Sequence, residues 1–126
     1  MPNILIVDDN DVTAKFLESL LKQKGHQVKV LGNGSEIVDE VRKFSPQLIL
    51  MDILLPDMNG AEAVEMLQQD VDLRRIPVIF LSAIIEQDGQ KRSILTIHDK
   101  NYPALSKMIT TNDLLNTIQT TLRNSS

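Results

Sequence analysis

The side chains best suited to chemistry are three carboxylates, Asp8, Asp9 and Asp52, a hydroxyl, Ser82, and a cation, Lys107. Each closes a short apolar run: Ile-Leu-Ile-Val before Asp8, Leu-Ile-Leu-Met before Asp52, Val-Ile-Phe-Leu before Ser82, and the weaker Ala-Leu-Ser before Lys107. Carboxylates gathered in one pocket repel, a pair ~4 Å apart costing about 4 kcal/mol at an effective dielectric of 20. Such a cluster calls for a cation. Oxygen donors with no His or Cys nearby favour Mg²⁺ with several retained waters. A magnesium site alone needs neither Lys107 nor Ser82. A bound phosphoryl group uses both, the ammonium as a point charge and the hydroxyl as a donor. Its acceptor is then a carboxylate, because Ser82 has no histidine base, and carboxylates do form covalent phosphoryl intermediates. Taken by itself, Asp52 is equally a residue that ends a strand and caps a turn.

The elements that must position these groups alternate along the chain. Leu48–Met51, bounded by Pro46 and Pro56, reads as a strand buried on both faces. Asn3–Val7 and Ile76–Leu81 read likewise, with Pro77 near a strand start where a missing donor is tolerated. Gln27–Leu31 alternates and is expected at an edge, and Ala104–Ser106 is a short strand leading to Lys107. Four helical stretches intervene. The first carries Val12, Phe16, Leu17, Leu20 and Leu21 on one face, with Asp11 as its cap and Gly25 at its end. The second, capped by Ser35, turns Ile37, Val38 and Val41 inward. The third, Ala61–Gln69, turns Ala63, Val64 and Leu67 inward. The last carries Leu114, Leu115, Ile118 and Leu122, capped by Thr111 or Asn112. Asp57 is expected to cap a turn or the next helix, His26 to face solvent, and His98 to sit in a turn.

The expected fold is therefore α/β, a doubly wound five-stranded parallel sheet in the order 2-1-3-4-5 with helices on both faces. That order sets the first and third strands side by side, gathering Asp8, Asp9 and Asp52. The segment from Glu86 to Ser93 lacks an apolar stripe and is broken by Gly89. The helix that the alternation calls for between the fourth and fifth strands is expected to be degraded or replaced by a β-hairpin pairing Ile94–Ile97 with Tyr102–Leu105 around His98–Asn101. An ordinary helix from Gln87 to Leu95 is the competing expectation. Pro103, lacking a donor, suits an edge.

At 126 residues the chain is one domain, 1–123, with 124–126 a polar tail or the start of a linker. A net charge of −4 and a pI near 5.1 leave no footprint for nucleic acid. No apolar run approaches the ~20 residues that cross a bilayer. The start of the chain has no signal-peptide pattern, so a cytoplasmic location is expected. The lack of cysteine excludes disulfides, thiol catalysis and thiolate zinc sites.

With Leu-Pro-Asp-Met-Asn-Gly following Asp52, the set Asp8-Asp9, Asp52, Ser82 and Lys107 resembles the receiver domain of bacterial two-component response regulators over nearly the whole chain. The resemblance implies that Asp52 is the phosphoacceptor. Asp9 and Asp52 would ligate Mg²⁺ directly, Asp8 through water, and the Leu54 backbone carbonyl would complete the protein ligands. Ser82 would be the switch hydroxyl, Lys107 the phosphate-binding cation, and Ala83 the small residue that leaves the phosphoryl group room. The phosphoryl group would come from a sensor histidine kinase or histidine phosphotransfer protein, and a downstream protein target or homodimer would read it. Catalysis would extend only to the chain's own phosphorylation and slow dephosphorylation. Leu54 and Ile84, two residues after the acceptor and the switch hydroxyl, are aliphatic where some members have polar residues that position water, which implies a long phosphoryl lifetime.

Two positions depart from the family. Met108 stands where proline usually follows the lysine through a cis bond, so Lys107–Met108 is expected to be trans. Ala104 stands where a Tyr or Phe usually moves with the switch hydroxyl. Both put the usual output mechanism in doubt and leave the phosphorylation chemistry intact. A non-phosphorylated pseudo-receiver, acting only as an interaction module, is the main rival, yet it commonly loses an acid or the lysine. A flavin or nucleotide carrier is disfavoured because Asp8-Asp9-Asn10-Asp11 would repel phosphate.

Overall fold

The structure is a computed structural model describing residues 2–83 and 92–124. In chain order come β1 (Asn3–Val7), α1 (Asp11–Gln23), β2 (Gln27–Leu31), α2 (Ile37–Phe44), β3 (Leu48–Met51), α3 (Gly60–Gln68), β4 (Val78–Ser82), β5 (Arg92–Ile97), β6 (Lys100–Ser106) and α4 (Thr111–Asn124). The sheet runs β2-β1-β3-β4-β6-β5. Its first five members are parallel and give the expected doubly wound order, β6 taking the fifth place. The sixth strand, β5, is an antiparallel addition at the edge.

The two-residue period of the buried strands sorts their side chains onto two cores. Leu5, Val7, Ile49, Met51 and Phe80 pack on the side of α2 and α3. Ile4, Ile6, Leu48, Leu50, Ile79 and Leu81 pack with Leu17, Leu21, Leu114 and Ile118 of α1 and α4. The helix faces read from sequence hold for α3, where Ala63, Val64 and Leu67 are buried. In α1 the face is corrected. Ala14, Leu17 and Leu21 are buried, while Val12 and Phe16 are 80% and 56% exposed. The small Ala14 marks the inward face, and apolar size alone misplaced it.

Caps are corrected too. Asn10, not Asp11, caps α1, its side chain accepting from Thr13 N at 3.0 Å. Ahead of α2, the Asn33 side chain rather than Ser35 accepts the Glu36 N–H at 3.1 Å. Thr110 Oγ1, one residue before the expected cap, accepts from Asp113 N ahead of α4. His26, expected in solvent, is half-buried.

The hairpin is present, with Ile94 opposite Pro103, Leu95 opposite Tyr102 and Ile97 opposite Lys100. Its turn is only His98-Asp99, both at positive φ (50° and 66°), the mirror-image turn whose twist suits a two-residue hairpin. The competing helix fails over its described part, since Arg92–Leu95 is strand. Gln87–Lys91, with Gly89, lie outside the described residues. Pro103 is not on the edge. It lies in β6, one residue before pairing with β4 begins at Ala104, so its missing N–H interrupts no rung there.

Candidate functional site

The site forms where β1, β3, β4 and β6 end together at the switch point of the sheet. Val7 pairs with Met51, so the next residues, Asp8 and Asp52, stand side by side. Backbone bonds fix their origins: Asp52 N donates to Val7 O at 2.9 Å and Asp8 N to Leu31 O at 3.0 Å. On the other flank Ser82 pairs with Ser106, and Lys107 N donates to Ser82 O at 3.0 Å. Register alone thus delivers all the groups singled out from sequence to one place.

Carboxylate oxygens of Asp8, Asp9 and Asp52 lie within 4.8 Å of one another. Asp8 and Asp52 are buried and Asp9 is exposed, which leaves the cluster open on one side. Lys107 Nζ reaches both buried acids, 2.8 Å from Asp8 Oδ2 and 3.2 Å from Asp52 Oδ2. Burial pushes the Asp52 carboxyl up, the Lys107 charge pulls it back, and the Asp8 charge adds to the rise. For Lys107, burial acts to lower the pKa, but the hydrogen bond to Asp8 and the charges of Asp52 and Asp8 outweigh it and raise it. The lysine therefore remains an ammonium. Three carboxylates with no nitrogen or sulfur donor and one accessible side form a donor set that fits Mg²⁺.

Leu54 follows Asp52 in a tight loop. Its N–H points at Asp52 Oδ1 (3.4 Å), and it bridges to Asn59 across the loop. Gly60 closes the base, its N–H donating to Ile53 O at 2.6 Å. A Cβ at Gly60 would collide with the Asp52 carbonyl, so only glycine lets α3 start this close to the acceptor strand. The Asn59–Glu62 capping box then starts α3. Ser82 is buried, and Ala83 is an exposed turn residue beside it. Ile84 lies outside the described residues.

The departures have structural counterparts. No cis peptide occurs among the described residues, so Lys107–Met108 is trans as expected. The N–H that proline would lack is captured by Ser106 Oγ at 3.0 Å, and Ile109 N donates to Ser106 O at 3.0 Å. Sequence reasoning missed Ser106, although a serine immediately before the lysine, with Met in place of Pro, was the available signal. Ala104 is buried, and the ring of this strand sits two residues earlier, on the same face. Tyr102 packs edge-on against Phe80 at 5.9 Å and takes a 2.8 Å hydrogen bond from Gln68 Nε2.

The arrangement is that of a phosphoryl-accepting α/β signalling domain. The chain matches the response regulator receiver domain over residues 4–119, and it belongs to that family. It is 37% identical over 90 residues to the polar-differentiation response regulator DivK of Brucella anthropi, covering 71% of this chain and 73% of the relative. A putative response regulator from Chloroflexus aurantiacus superposes with a TM-score of 0.80 at 25% identity, covering 97% and 98% of the two chains. The receiver domain of a sensor histidine kinase from Pseudomonas aeruginosa, solved with magnesium coordinated in its active-site cleft, gives 0.79 at 26% identity, covering 96% and 97%.

Proposed function

We propose that residues 1–123 work as one receiver unit in the cytoplasm, accepting a phosphoryl group on Asp52 from a histidine kinase or histidine phosphotransfer protein. An Asp52 carboxylate oxygen attacks phosphorus, the P–N bond to the donor imidazole breaks as the P–O bond forms, and the imidazole leaves with a proton taken up from water. Lys107 Nζ, already 3.2 Å from Asp52, swings onto a phosphoryl oxygen and neutralises charge on it. Ser82 and Ala83, at the end of β4, receive the opposite side of the group. Asp8, Asp9, Asp52 and the Leu54 carbonyl would hold Mg²⁺, which when bound offsets charge on the phosphoryl oxygens. The observation that carries this reading is the convergence of three carboxylates with the Lys107 ammonium between two of them. The pseudo-receiver alternative is disfavoured by that intact set.

The structure adds support for a protein donor. Val12 and Phe16, both more than half exposed, lie on the Lys107 side of the site. An apolar cleft of about 220 Å³ opens among them, lined also by Leu81, Ile109 and Leu114. Apolar side chains spent on solvent beside a charged pocket suit a docking protein.

Incubation with a small phosphodonor and Mg²⁺ should add one phosphoryl mass to the intact chain. Asp52→Asn should remove it, and labelling of that variant at the wild-type level would rule Asp52 out as acceptor. Phe16→Asp should slow transfer from a phosphotransfer protein and leave labelling by the small donor unchanged.

A further inference from the structure

We propose that Asp57 is a positioning residue for the metal site, an inference that rests on the Mg²⁺ reading above. It belongs to the loop after β3, yet its partners lie in the loop after β2. Asp57 Oδ1 accepts the Gly34 N–H at 2.9 Å and Oδ2 accepts the Ser35 N–H at 2.8 Å. In the sheet order β2 and β3 flank β1, so the two loops stand on either side of the strand that ends in Asp8 and Asp9. The carboxylate joins them across that end.

The clamp has a second contact. Met58 lies against Gly34 so closely that a Cβ there would stand 2.6 Å from Met58 Cγ. Met58 also packs on the first core, which anchors the clamp to the sheet. Between clamp and acceptor the loop has little freedom. Leu55 N donates to Met58 O at 3.2 Å, and Leu54 bridges to Asn59. The Leu54 carbonyl is thus held at the base by Gly60 and at the tip by Asp57. Asp57 is exposed and is not one of the clustered acids, so its contribution is made through the loop. Residues that orient metal ligands without touching the metal commonly change affinity when removed.

The alternative is that Asp57 only caps the turn before α2. Calorimetric titration of Mg²⁺, together with the Mg²⁺ dependence of labelling by a small phosphodonor, separates the two. Asp57→Ala should raise the half-saturating Mg²⁺ concentration about tenfold, the lower end of what loss of an outer-shell partner produces. Asp57→Asn, which keeps one acceptor oxygen, should show a smaller rise. The labelling rate at saturating Mg²⁺ should stay within about twofold of wild type, the signature of lost binding rather than lost chemistry. Melting in EDTA reports folding. If Asp57→Ala is unfolded at the assay temperature, Asp57→Asn decides. A wild-type titration curve in the folded variants overturns the inference alone, as does a lost saturating rate with unchanged half-saturation. A wild-type protein that neither takes Mg²⁺ nor is labelled overturns the functional reading and this inference together.

Discussion

Asp52 is held in two opposing fields, and the balance makes the metal-free site a weak point in the fold. Its folded pKa is raised, chiefly by burial. A raised carboxyl contributes stability that is present below the unfolded value near ~3.9 and lost as pH rises through the folded value. Melting temperature without metal should therefore fall across that window. Asp52→Asn should flatten the fall and raise the melting temperature near neutral pH. Mg²⁺ should raise it for the wild type by binding only the folded state. A variant less stable than wild type in EDTA would refute the account of Asp52 as a destabilising buried charge. Hydrolysis of the phosphorylated protein should be slow, because Leu54 beside the acceptor is aliphatic and offers no hydrogen bond to an attacking water. Loss of the added mass within seconds would count against it. The chemistry-bearing residues were legible because each ends an apolar run, and the sheet order follows from how such runs alternate with helices. Ser106 and Asp57 were harder to read. Their roles depend on which backbone N–H the fold brings to them, and for Asp57 those donors stand more than twenty positions away in the chain.

Among the elements, the hairpin shows the same division. Its existence followed from a β-branched run, a polar turn and the lack of an apolar stripe upstream. Its anchorage to α3 could not be read that way. Gln68 Nε2 donates to Ile97 O at 3.1 Å as well as to Tyr102, and His98 Nε2 meets Glu65 Oε2 at 2.6 Å. Lys100 Nζ reaches Arg74 O at 2.7 Å. Of these, the Gln68 bond ties the Tyr102 hydroxyl to α3, two residues before Ala104, where the resemblance places a ring that moves with the switch hydroxyl. Tyr102→Phe should cost about 1 kcal/mol in denaturant unfolding, the typical net value of one hydrogen bond. The turn invites the opposite change. Asp99 occupies a left-handed conformation that Asp tolerates better than most L-residues and glycine adopts freely, so Asp99→Gly should stabilise modestly, the gain reduced by the greater freedom of glycine when unfolded. A lower denaturation midpoint for Asp99→Gly would show that its side chain holds the turn in some other way. In α1, Val12 and Phe16 read as core because periodicity registers apolarity and cannot tell a buried face from one left in solvent.

At the scale of the whole molecule, two depressed carboxyls join parts distant in sequence. Gly34 and Ser35 hold Asp57 below the usual range, and Arg42 holds Asp70 there from α2. A depressed carboxyl contributes stability above the unfolded value that is lost as pH falls through the folded one. Acid unfolding of Asp57→Ala and Asp70→Ala should therefore be less steep than that of wild type. The order of strands also has a consequence in time. Parallel neighbours such as β1 and β3 meet only after a helical crossover has been closed, whereas β5 finds β6 across two residues. Hairpins of that kind form in roughly 1–10 μs, ahead of long-range parallel pairing. On refolding, the last-added edge of the sheet should be the first to acquire a ladder, and β4 should dock onto a hairpin already made. Pulsed hydrogen exchange should then protect the Leu95 and Ile97 amides before those of Leu50 and Met51 in β3. The reverse order would mean that the doubly wound core nucleates first and recruits the hairpin to itself.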